Sequence, residues 1–109
     1  MAGTDYFYKV GDHLPAFTGI CRSPDGTPKD LTGATVVLII RKKGETSGSS
    51  YAMTIVSATA GSVSYTFLGT EMTTPGEYEA EIEETDSTSK KTTYPKDRYL
   101  RIEVKDDLN

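Results

Sequence analysis

A chain of 109 residues fits one domain, and at this length folding buries about two-thirds of the surface that the unfolded chain exposes, enough for a single core. Sixteen acidic against 12 basic residues give a formal net charge of -4. That balance speaks against nucleic acid as the main partner, because phosphate binding needs a positive surface.

The N-terminal "MAGTDYFYKV" has no apolar run long enough for a signal peptide. The longest apolar run, "ATVVLII" from Ala34 to Ile40, is too short to cross a membrane as a helix, so neither an export signal nor a membrane anchor is expected. Residues 1–9 are set apart as an N-terminal arm and residues 10–109 as the domain. Tyr6, Phe7 and Tyr8 form an aromatic cluster in the arm. It suits either a strand packing on its own domain or a segment that docks on a partner, since aromatic side chains favour interfaces. These three are the candidate partner-binding residues.

"LPAFTGICR", Leu14 to Arg22, reads as an edge strand or a strand start, because Pro15 cannot donate to a ladder. Its Cys21 is the only cysteine, so no intrachain disulfide forms and the fold is independent of oxidation, as suits a chain made in a cytosol. Its apolar setting suits a buried structural thiol. "SPDGTPKDLTG" follows with stacked turn chemistry around Asp25-Gly26 and Pro28. "ATVVLIIRKK", Ala34 to Lys43, is apolar on both faces and reads as the central strand.

After the polar loop "GETSGSS", "YAMTIVSA" alternates with Tyr51, Met53 and Ile55 on one face. "AGSVSYTFLG" alternates more cleanly, with Val63, Tyr65 and Phe67 inward. Pro75-Gly76 is a turn, and "EYEAEIEET" follows. Alternation puts Tyr78, Ala80 and Ile82 toward the core and Glu77, Glu79, Glu81 and Glu83 on a solvated face. In "RYLRIEVK", Leu100, Ile102 and Val104 point inward, and Arg101 and Lys105 are expected opposite some of those glutamates. A short strand is expected near Thr92 to Tyr94. The whole reads as an all-β, immunoglobulin-like antiparallel sandwich of about seven strands.

No residue set for catalysis, cofactor binding or a metal stands out. A carboxylate working as a general acid needs a raised pKa, which outward strand positions do not supply. Asp25 and Asp30 do not have the spacing of a calcium loop and suit turns. The one histidine, His13, has no partners for a zinc site and suits a surface turn. There is no GxGxxG and no GxxxxGK[ST].

The segments "GDHLPAFTG", "SPDGTPKDLTGATVVLIIRKK", "AGSVSYTFLGTEMTTPGEYEAEIEET" and "TYPKDRYLRIEVKDDL" resemble, in order and over about residues 10 to 108, a family of bacteriophage tail and baseplate-associated immunoglobulin-like domains. Among these is the N-terminal domain of the upper baseplate protein of siphophages. The resemblance implies a non-enzymatic virion structural protein, made in the host bacterial cytoplasm. It would join or decorate subunits of the tail, baseplate or head–tail junction by contacts with other virion proteins, as a homo-oligomer or symmetric array. It brings no catalytic residues; Asp30, Leu31, Gly33, Ala34, Gly76, Tyr78 and Pro95 are fold-making positions in it. The alternative is a module that binds carbohydrate or the host cell surface, with Tyr51, Tyr94 and Tyr99 as its aromatic platform.

Overall fold

The computed structural model describes residues 4–95, 98–106 and 108. Its nine strands are β1 (Tyr6–Lys9), β2 (Phe17–Ile20), β3 (Thr35–Lys42), β4 (Ser49–Ala52), β5 (Thr54–Ser57), β6 (Ser62–Tyr65), β7 (Gly76–Thr85), β8 (Lys91–Tyr94) and β9 (Leu100–Lys105). They form an all-β sandwich of two unequal sheets. One has six strands in the order β1-β9-β7-β3-β4, with β8 also on β7; the other is β2-β6-β5.

The strand count exceeds the expected seven for two reasons. Residues 6–9, set apart as an arm, form a strand that pairs with β9, Tyr6 opposite Ile102 and Tyr8 opposite Val104. This is a parallel pairing, and the others between strands are antiparallel. The segment "YAMTIVSA" is also two strands, one in each sheet, with the chain crossing over at Met53. The Met53 N–H still donates to the Val36 carbonyl at 2.9 Å, which ties the crossing to β3.

β7 organises the larger sheet. β3 pairs along one edge from Thr85 to Tyr78. On the other edge β9 takes Gly76 to Ala80 and β8 takes Ile82 to Thr85, leaving Glu81 between them. Strict alternation makes this possible: Tyr78, Ala80 and Ile82 are buried, and Glu77, Glu79, Glu81 and Glu83 stand on the outer face. β3 is buried on one face only. Val36, Leu38 and Ile40 point into the core, while Val37 and Ile39 are half-buried on the outer face, beside Glu83 and Glu81 of β7.

Between the sheets lie Phe17, Leu31, Leu38, Val63 and Ile102, all essentially inaccessible to water. Full burial of each is worth roughly 1.5–3 kcal/mol. Aromatic rings join the layers: Tyr6 on Phe17 at 4.2 Å between centroids, and Tyr8 edge-on to Phe67 at 4.9 Å. Among the residues expected inside, Tyr65 and Leu100 are only partly covered.

The turns use one device three times. In Asp25-Gly-Thr27, Asp30-Leu-Thr32 and Asp86-Ser-Thr88, the aspartate carboxylate accepts from both the N–H and the hydroxyl of the threonine two residues on, at 2.6–3.1 Å. These hydrogen bonds outweigh the opposing effect of desolvation and hold the Asp25 and Asp30 carboxyls below their usual pKa; for Asp86, also lowered, the bond from the Lys90 N–H, at 3.0 Å, is the largest influence and the Thr88 bonds add to it. Glycine is required at Gly61, where φ is +67° and an added Cβ would lie 2.6 Å from the Cys21 carbonyl oxygen.

Candidate interaction surfaces

The aromatic cluster of β1 divides by alternation. Tyr8 is buried in the core, and burial pushes its pKa up to about 12. Tyr6 leans on Phe17, and its hydroxyl donates to the Thr18 carbonyl at 2.9 Å. Phe7, between them, points the other way and is 66% exposed on the outer face of the larger sheet, opposite Glu103. Of the three candidate partner-binding residues, Phe7 is the one whose ring stands open on the outer face, while Tyr6 is half-buried at the flank between the sheets.

The outer face of the larger sheet carries cross-strand ion pairs, with Phe7 at its margin on the edge strand. Arg41 meets Glu79 at 2.7 Å and also lies over the Tyr99 ring at 5.0 Å. Glu77 sits between Lys43 at 3.1 Å and Arg101 at 3.3 Å, and Glu83 faces Lys91 at 3.7 Å. The expected pairing of Arg101 with a glutamate is present; Lys105 instead approaches Glu103 of its own strand at 3.8 Å. For Glu77, the bond from Lys43 is the largest influence and holds the carboxyl below its usual pKa. These glutamates are partly covered by their cationic neighbours, so the face is less open than the sequence suggested.

Glu84, the fifth carboxylate of the stretch, is different: it is 1% exposed. It shares the inward parity of Tyr78, Ala80 and Ile82, so alternation marks its place; its chemistry hid it. The Tyr94 hydroxyl donates to Oε1 at 2.8 Å, and Lys29 Nζ lies 3.3 Å from the same oxygen. Burial, reinforced by the Glu84 charge, pushes the nearby Cys21 thiol up to about 11, so this buried cysteine stays a thiol at neutral pH, in line with a structural role.

Glu71 is bound by its own loop. It accepts from the N–H groups of Leu68 at 2.8 Å, Gly69 at 3.1 Å and Thr70 at 3.1 Å, and from the Tyr65 hydroxyl. His13 is exposed, its Nδ1 2.9 Å from the Phe67 carbonyl, and so a donor there. The three tyrosines considered as a sugar platform do not share a face. Tyr51 packs on Tyr65, Tyr94 is buried on Glu84, and Tyr99 stacks with Arg41. Among the described residues no three His, Cys, Asp or Glu side chains converge as a metal site.

One further feature is a groove of about 580 Å³ at the open flank between the sheets, beside β2. Tyr6, Ile82, Tyr94, Pro95 and Leu100 line it. Sequence reasoning did not find it, because it depends on how far one sheet overhangs the other.

The chain is thus a two-sheet sandwich with an exposed aromatic ring, cross-strand ion pairs and a buried carboxylate, and fold alone does not assign it a role. A family model described as the BppU N-terminal domain matches residues 23–107, and the chain belongs to that family of phage baseplate upper-protein domains. The match begins after β2, whereas the resemblance drawn from motifs reached back to residue 10. Among solved structures, the N-terminal domain of phage TP901-1 ORF48 is similar, with a TM-score of 0.65, 14% identity, and cover of 94% of this chain and 85% of that one. At that identity the likeness is one of fold. The comparison with curated proteins gave no match. Membership in the family gives the chain a phage structural role in the virion, in association with other virion proteins; the family is a structural one and is not known for catalysis.

Proposed function

We propose that this domain is a joint. It links or decorates subunits of the tail, baseplate or head–tail junction through protein–protein contacts, without catalysis, after synthesis in the host cytoplasm. Repetition by particle symmetry would turn one weak surface into many, as a homo-oligomer or array. The carrying observation is the family match over residues 23–107. Phe7 adds a specific contact: a large ring, 66% exposed, on a face otherwise held by ion pairs. An exposed aromatic ringed by polar groups is the pattern of an interface anchor.

Because Tyr8 is core and β1 pairs with β9, a point substitution tests this better than removal of residues 1–9. Mass spectrometry of purified particles should find the wild-type protein at a fixed copy number. Its absence from every particle would end the proposal.

A further inference from the structure

The three-stranded sheet is narrower than the six-stranded one, and beside β2 it leaves the groove of about 580 Å³ open. β2 has a strand on one side only, β6. Backbone groups of a strand alternate between its two edges. The Thr18 carbonyl is turned away from β6, since the Tyr6 hydroxyl reaches it at 2.9 Å. Ile20, two residues on, turns its N–H and carbonyl the same way, toward the groove, and its side chain is 49% exposed. Gly19 between them is held close to the opposite sheet: a Cβ there would lie 2.8 Å from Ile82 Cδ1. The result is a strand edge with no neighbouring strand, its Thr18 carbonyl meeting only the Tyr6 hydroxyl, running beside an apolar trough. Such an edge is a template for a further strand, with main-chain bonds giving affinity and the trough receiving alternate side chains.

Charge narrows the occupant. The chain is net acidic, yet the only charged group lining the groove among the described residues is Arg22, just past the end of β2. Its Nη1 donates to the Gly26 carbonyl at 3.0 Å, and a guanidinium has five N–H donors in all. A carboxylate is the complement. A second copy of this chain, docked β2 to β2, supplies nothing for the trough. Its inward side chains on that strand, Phe17 and the following Cys21, are already fully buried in its own core, and Gly19 has none.

We propose that the β2 edge accepts an extended strand from a different virion polypeptide, with apolar side chains at alternate positions in the groove and a carboxylate against Arg22. The proposal deepens the protein-joining role above and rests on it.

The probe is the synthetic peptide acetyl-Glu-Val-Thr-Val-Thr-Val-Glu-amide, titrated into isotope-labelled protein and followed by the backbone amide signals in NMR. Shifts should centre on Thr18 and Ile20, at peptide concentrations on the order of 1 mM, as for a single short strand. The same peptide with Lys in place of Glu should bind about two- to fivefold more weakly, the effect of one exposed ion pair. Arg22→Glu should reverse that order. No shift at Thr18 and Ile20, or equal binding of both peptides, overturns the proposal. So does concentration-dependent dimerisation that Ile20→Lys abolishes, which would make a second copy the occupant. In particles, Ile20→Lys and Arg22→Glu should each lower the copy number. If wild-type protein is incorporated and both variants match it, this edge is not the joint although the joining role stands; if wild type is absent, the joining role itself fails.

Discussion

Glu71 shows how one side chain can hold a loop. Three backbone N–H groups and a phenol converge on its carboxylate. Burial favours the neutral acid, but the bonds from Tyr65 and the backbone outweigh it, and the pKa falls below the usual 4.5. A carboxyl whose folded pKa is depressed adds stability above its unfolded pKa, and that stability is lost as pH falls through the folded value. Urea titrations should therefore show wild-type stability declining below about pH 4.5, with a shallower decline for Glu71→Gln. At neutral pH, Glu71→Ala should cost roughly 1–3 kcal/mol, because the three N–H groups lose their acceptor. Lys29 and Glu84 pose a different case. Removing one partner of a fully buried pair costs about 3–5 kcal/mol. Lys29 is 36% exposed and Tyr94 stays bonded to Glu84, so Lys29→Met should cost less, on the order of 1–3 kcal/mol. Coupling in a double-mutant cycle with Glu84→Gln would confirm the contact; simple additivity would show that the two residues do not act together.

At the scale of the strand, β3 and β7 carry the larger sheet. Leu38 is fully buried opposite Ile82, and Leu38→Ala should cost roughly 2–5 kcal/mol in chemical denaturation, the range for a large-to-small core change. On the outer face of β7 the effects should be small. Glu81→Gln should change stability by less than about 0.5 kcal/mol, and Glu79→Gln, which breaks the Arg41 pair, by about 0.2–1 kcal/mol. The faces of β7 and β9 were legible in the sequence because one side of each meets the core and polar and apolar side chains alternate; β3, apolar at five successive positions, read as buried on both faces, and only the structure shows Val37 and Ile39 on the outer one. Pairing partners were less so. Tyr51, Met53 and Ile55 keep one parity across the crossing at Met53, so periodicity cannot show that the chain changes sheets there. β1 stayed open in the sequence, as a strand of its own domain or a docking segment, because four residues with three aromatics in a row carry no alternation of polarity. Its parallel partner, almost the whole chain away, leaves no local trace. The site was legible only in part: Phe7, Tyr6 and Tyr8 could be picked out by residue type, but only the pairing to β9 decides which ring faces outward.

The whole molecule presents two unlike outer surfaces. Across β3, β7 and β9 the larger sheet carries paired charges. The smaller sheet shows Thr18 and Ile20 on β2, Ser62 and Ser64 on β6, and Thr54 and Val56 on β5, none of them charged. Val56 is 64% exposed. Phe7 lies at the margin of the charged surface, on the edge strand. Phe7→Ser should leave folding stability within about 0.5 kcal/mol of wild type, as for an exposed position. Incorporation into particles should nevertheless drop. A variant that assembles at the wild-type copy number would show that Phe7 is not a contact.

The parallel pairing of β1 with β9 also fixes how the domain bears load. The pairing runs from the Asp5 N–H on Arg101 to the Val10 N–H on Lys105. Because the two strands point the same way, the chain comes in at one end of the pair and departs from the other. Tension applied at Thr4 and Asp106 pulls the strands lengthwise past each other, so their hydrogen bonds strain together. Tension applied at Val10 and Asp106 opens the same strands from one end, bond after bond. In an optical trap the first geometry should yield at the higher force. A particle that strings such domains along its axis would then have rigid links, each resisting extension until a whole row of bonds gives way at once.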